Sequence, residues 1–159
     1  MTGGGSLRDR ACRLVALYER VPAAVRWLLV LGWALLLWYE SAQPPTHGPH
    51  SAFNNWYHNA AHVPAFGLLA LLVLLAAGAS RGAWVGIAAA ACYGVVDEIH
   101  QSFTPGRDAS WKDVLSDTVG GCLVVAVFLW WIRGRTEART WALALVPLAL
   151  IVPTIAAFW

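Results

Sequence analysis

The chain has 159 residues, 58% of them hydrophobic and 13% charged, with a formal net charge of +2. Soluble domains carry about 25% charged residues, and here the deficit coincides with long apolar runs, which excludes an ordinary soluble fold. The small net charge says little about partners, although no nucleic acid is expected among them, and Cys12, Cys92 and Cys122 form neither a disulfide framework nor a zinc-type spacing.

A spanning helix needs about 20 largely apolar residues to cross ~30 Å of hydrocarbon. Five stretches meet or approach that length, so the sequence predicts an all-α, polytopic bundle of about five transmembrane helices preceded by a short basic amphipathic helix. Residues 1–20 form the basic segment: Leu7, Ala11, Leu14, Tyr18 and Val21 recur at helical spacing, with Arg8, Arg10, Arg13 and Arg20 elsewhere on the turn. That pattern suits a helix lying on an anionic membrane surface; a cytoplasmic extension of the first span is the plainer alternative. Residues 21–159 form the membrane domain, with spans at about 21–39, 60–79, 83–103, 110–132 and 141–159. The basic head and first apolar run have the order of a signal peptide, but Glu40 stands where cleavage after Ala42 wants a small residue. Residues 40–59 read as a polar loop. The apolar part of the third span stops at Val96, so the helix is expected to continue to Phe103, before Pro105 and Gly106.

Arginine sets the expected orientation. Segments 1–26, 80–82 and 133–140 hold nine Lys or Arg residues, whereas the opposite segments hold only Arg107 and Lys112. The positive-inside rule then puts the amino terminus in the cytoplasm and, with five spans, the carboxyl terminus outside.

The outer loops so defined adjoin an unusual run: Asp97-Glu98-Ile99-His100-Gln101, then Arg107, Asp113 and Asp117. At about 100° per residue, Asp97, Glu98, His100 and Gln101 fall in one arc, opposite Val95, Val96, Ile99 and Phe103. On the next span Asp113, Asp117, Gly120 and Gly121 share a stripe, where small residues permit close helix approach. Asp117 is a turn deeper than Asp113; ionisable groups at such depth are costly and face a partner. Arg107, which can bind a carboxylate through two parallel bonds, is the expected partner.

The stretch Tyr93–Gly121 resembles the signature of the VanZ-like membrane proteins, through Glu98, Gln101, Arg107, Asp113, Asp117 and Gly120. His62 and Phe66 are similar to the His and aromatic of an earlier element of that family, although His58 and Asn59 stand where the family has Asp and Lys. The resemblance covers about residues 56–130. It implies a multi-pass protein of the bacterial plasma membrane, in a family whose name-giving member is associated with low-level teicoplanin resistance, and it brings no agreed catalytic mechanism.

Structural readings compete with functional ones. Ser110 and Asp113 have capping-box spacing, Glu98 and Arg107 could form a surface ion pair worth under about 1 kcal/mol, and Cys92 and Cys122 are small packing residues. His58 and His62, four apart, could ligate a metal with Asp97, Glu98 or His100, but no recognised metal motif is present. No serine sits in a nucleophile turn, so acid–base work by His100 with Asp97 or Glu98 is permitted without being indicated. The favoured expectation is a binding pocket for an amphiphile built from His62, Asp97, Glu98, His100, Gln101, Arg107, Asp113 and Asp117. It needs no cofactor or metal, and its expected partners are membrane lipids, a lipid-linked cell-wall precursor or a lipoglycopeptide. A membrane-embedded enzyme acting on an envelope lipid is the alternative, and a transporter is disfavoured by the lack of inverted repeats.

Overall fold

The computed structural model describes residues 6–43, 52–78, 82–107 and 109–158, with side chains in the third helix described from Trp56 onward. Among the described residues there are six α-helices and no strand: α1 (Leu7–Glu19), α2 (Ala23–Ser41), α3 (Ala52–Ala77), α4 (Gly82–Gln101), α5 (Trp111–Val127) and α6 (Glu137–Phe158). A π-helical turn, Phe128–Ile132, prolongs α5. The five helices after α1 each contain a stretch long and apolar enough to cross a membrane, and the protein is a multi-pass membrane protein.

Three boundaries depart from the sequence expectation, among them the start of α6, at Glu137 rather than near residue 141. Helix α3 starts at Ala52 rather than near residue 60, so His58 and Asn59 lie on a helix instead of a loop. Helix α4 ends at Gln101 rather than Phe103, and the chain turns there, with the Phe103 and Thr104 N–H groups donating to the carbonyls of His100 and Gln101.

Helices α3, α4 and α5 form the centre. Phe66, Leu69, Ala70 and Val73 of α3 are buried with Ala90 of α4 and with Val125 and the π-turn residue Phe128. Small residues let these backbones approach. A Cβ on Gly120 would strike the carbonyl of Val63, and one on Gly86 the carbonyl of Ala70. Helix α6 packs on α5 and α3, whereas α2 packs chiefly on α3 and α4 and buries only Ser41. The outer faces of α2 and α6 carry Leu28, Leu31, Leu35, Leu143, Leu150 and Ile155 exposed, the surface expected against lipid tails.

Polar bonds fix the periphery. Near one end of the bundle Arg26 Nη1 donates to the carbonyl of Leu75 at 2.7 Å, holding α2 to the end of α3. Deeper, Trp33 Nε1 donates to Ala65 O at 3.0 Å and the Tyr93 hydroxyl to Ala34 O at 2.5 Å. Helix α1 lies at the Arg26 end, its Arg8 Nε donating to the carbonyl of Trp131 at 2.8 Å and its Glu19 paired with Arg133.

Candidate functional site

The expected polar residues gather at the opposite end, where α2 and α4 finish and α3 and α5 begin. On α4 the positions Gly86, Ala90, Gly94, Asp97, Glu98 and Gln101 are all buried, so the inward stripe of small residues becomes a stripe of polar ones in the last two turns. The predicted arc holds for Asp97, Glu98 and Gln101. His100 departs from it: its ring stacks on Trp38 of α2 with centroids 3.6 Å apart. Its Nδ1 lies 3.0 Å from the Ser41 hydroxyl. That hydroxyl donates to the carbonyl of Trp38 at 3.1 Å, so it accepts from His100. His100 therefore ties α2 to α4 instead of joining the cluster.

The expected ion pair between Arg107 and Asp117 does not form. Among the described residues no carboxylate lies within 4.0 Å of Arg107. Its Nε donates to Gln43 O at 2.9 Å, its Nη2 reaches Glu40 O at 3.5 Å, and its Nη1 reaches Gln101 Oε1 at 3.3 Å. The backbone acceptors are carbonyls around the end of α2, where a helix leaves its last C=O groups without internal partners and carries partial negative charge. Gln101 in turn donates to Asp97 Oδ2 at 2.7 Å. A chain of bonds thus runs from Asp97 through Gln101 to Arg107 and the end of α2.

Asp117 pairs instead with His62 of α3, Oδ1 to Nδ1 at 2.9 Å. The Asp117 side chain is 0% exposed and that of His62 12%, and the imidazole lies parallel to the ring of Phe66. Gly94 makes room: a Cβ there would sit 2.6 Å from Asp117 Oδ2. With Nδ1 donating to the carboxylate, Nε2 is the ring nitrogen left to meet a ligand, an arrangement that fixes tautomer and orientation.

Glu98 does not form the surface ion pair with Arg107. It is buried, and Oε2 accepts from the Ser110 N–H at 2.5 Å. Ser110 caps α5, but its hydroxyl accepts from Lys112 N–H at 3.3 Å, so the capping box with Asp113 is absent. Four buried carboxylate oxygens have no hydrogen-bond partner among the described residues: Asp97 Oδ1, Glu98 Oε1, Asp113 Oδ1 and Asp117 Oδ2. Buried acceptors of this kind are normally satisfied, and all four lie on the last two turns of α4 and the first two of α5.

A cavity of about 380 Å³ opens between α2, α3 and α4. Its lining mixes apolar Trp33, Leu36, Leu37, Ala65 and Phe66 with polar His58, His62, Asp97, Gln101 and Arg107. Of the eight expected residues, His62, Asp97, Gln101 and Arg107 line it. Asp117 stands behind His62, whereas Glu98 and Asp113 lie outside the lining. Residues of α2 and its end, Trp33, Glu40, Ser41 and Gln43, also contribute. Sequence reasoning missed them, although Glu40, Ser41 and Gln43 are the first polar group after an apolar run. His58 and His62 both face the cavity, but among the described residues no three His, Cys, Asp or Glu side chains are grouped to hold a metal ion. Cys92 and Cys122 are free thiols.

Neither the curated proteins nor the solved structures give a match to this chain. The VanZ/LLP1 family model matches residues 26–133, from the first turn of α2 to just beyond the π-helical turn, including every cavity-lining residue. The chain belongs to the VanZ/LLP1 family.

Proposed function

We propose that the protein binds the polar head of an amphiphile in the α2–α3–α4 cavity, at the outer face of a bacterial plasma membrane. The observation carrying this reading is the mixed lining: Arg107, held by neutral acceptors alone, shares the cavity with apolar Trp33, Leu37 and Phe66. Arg107 takes a phosphate or carboxylate, for which its forked donors are suited. Asp97 and Gln101 take hydroxyl or amide donors, and the apolar residues take the adjoining hydrocarbon. Lipid-linked cell-wall precursors, lipid headgroups and lipoglycopeptides all have this composition, and a link to teicoplanin sensitivity comes from the family. The outward placement rests on the nine-to-two arginine and lysine asymmetry.

The test is Arg107→Ala and Asp97→Asn, made separately. Expected results are loss of co-purifying lipid in native mass spectrometry and altered teicoplanin sensitivity in cells expressing equal amounts of protein. Unchanged lipid retention and sensitivity in both variants would remove the reading.

The His62–Asp117 pair favours a second reading, in which His62 Nε2 serves as a general acid or base on the bound headgroup. Geometry of this kind, a cavity-lining imidazole with a carboxylate on one ring nitrogen, suits proton transfer. Turnover of an envelope lipid in vesicles by wild type, abolished in His62→Gln with binding kept, would establish it; no product from wild type would reduce the site to binding alone.

A further inference from the structure

The opposite end of the bundle contains a second recess that the proposed function does not use. It is a cavity of about 200 Å³ lined by Leu74, Ala83, Phe128, Leu129, Arg133 and Arg135. The π-helical turn and the three residues after it supply most of that lining. The Arg135 N–H donates to Leu129 O at 2.9 Å, and Gly134, at φ +70°, reverses the chain between the two arginines. Arg8 of α1 arrives from far away in the chain: its Nη2 lies 3.3 Å from the place a Cβ on Gly134 would occupy. The guanidinium of Arg8 thus comes to the glycine that separates Arg133 from Arg135.

Their counter-charges do not match. Arg133 is paired with Glu19. The hydrogen bond of Arg8 goes to a neutral carbonyl, that of Trp131, and among the described residues Arg135 makes no side-chain hydrogen bond or ion pair. Asp9, the nearest acid in sequence to Arg8, is turned to Ser6 at the start of α1. Like charges held together repel, and an anion between them relieves the repulsion. We infer that Arg8, Arg133 and Arg135 form a binding site for a phosphate group, supplied by an anionic lipid headgroup. Basic pockets between spanning helices on the arginine-rich side bind such headgroups, and Arg is the side chain suited to phosphate.

The test uses the full chain, purified in detergent, delipidated and followed by thermal unfolding. Phosphatidylglycerol, phosphatidylcholine and inorganic phosphate are added separately. Phosphatidylglycerol is expected to raise the midpoint and phosphatidylcholine to leave it unmoved. Arg135→Gln, at a side chain with no bond to lose, is expected to remove more than half of that shift, and Arg10→Gln, the same charge change on the exposed side of α1, to keep it. A shift with inorganic phosphate equal to that with phosphatidylglycerol would still support the phosphate site, with a free anion as its source. An equal shift with phosphatidylcholine, a full shift in Arg135→Gln, or equal loss in Arg10→Gln would overturn it. Should Arg135→Gln not fold, Arg135→Lys keeps the charge without the fork and is expected to halve the shift; a full shift there overturns the proposal as well.

Discussion

Gly94 of α4 faces the carboxylate of Asp117 so closely that a methyl group on it would sit 2.6 Å from Oδ2. The glycine is what allows a buried acid to lie between three helices with its other oxygen on His62. Gly94→Ala must push Asp117 aside or part α4 from α5. Overpacking of this sort costs about 1–3 kcal/mol, and the variant is expected to melt earlier in detergent. An unchanged midpoint would mean that the side chain moves freely, and that the pair with His62 is not held as described.

The buried pair should behave as a unit. Removing one member of a buried charged pair strands the other and costs roughly 3–5 kcal/mol. His62→Leu is expected to be strongly destabilising, and the double variant His62→Leu, Asp117→Leu less so than the sum of the single ones. Unfolding of the four proteins of this cycle checks the claim; additive effects would show that the contact carries no coupling.

Arg107→Lys keeps the charge and loses the geometry. A lysine cannot reach Gln101 Oε1 and the carbonyls of Glu40 and Gln43 together, because its donors radiate from one atom. Retention of anionic lipid is expected to fall roughly tenfold, the equivalent of about 1.4 kcal/mol, with little change in stability. Quantitative lipid analysis of purified variants measures it, and wild-type retention would count against a role for the fork.

The amino-terminal helix should respond to acid. Ser6 and its N–H hold the Asp9 carboxyl below its ordinary value of 3.8. A depressed carboxyl stabilises the fold above its unfolded value, and the benefit disappears as pH falls through the folded one. Amide exchange at residues 7–10 is expected to quicken below about pH 4, a value set by the ordinary carboxyl range. Ser6→Ala should quicken it at neutral pH and flatten the acid response. Equal protection in Ser6→Ala at both pH values would show that the cap does not hold α1.

The spans were legible because apolar length is a local property that each helix displays by itself. The start of α3 was not: its first two turns mix aromatic residues with Asn54, Asn55, His58 and Asn59, and such a mixture does not distinguish a helix from a loop. Within the site, periodicity placed Asp97, Glu98 and Gln101 on the inner face of α4, where they are found. It misplaced His100, which stands at the flank of that face, and the nearness of Trp38 to that flank depends on how α2 docks. Arg107 was paired with the wrong acceptor for a related reason. Side chains are visible in a sequence, but the carbonyls left over around the end of α2 are a product of the fold, and they are what Arg107 meets.

The loose seating of α2 has a consequence for entry. This helix forms one wall of the amphiphile cavity, yet its polar attachments are few: Arg26, Trp33, Tyr93, Arg107 and the stacked His100 with Ser41. A hinge at one end of α2 would open the cavity sideways while α3, α4 and α5 kept their shape. A molecule with a long hydrocarbon tail would then pass from bilayer to binding place without leaving the membrane, and the energy of that passage would be set by these hydrogen bonds and by the packing of Val30, Trp33, Ala34 and Leu37 on the core.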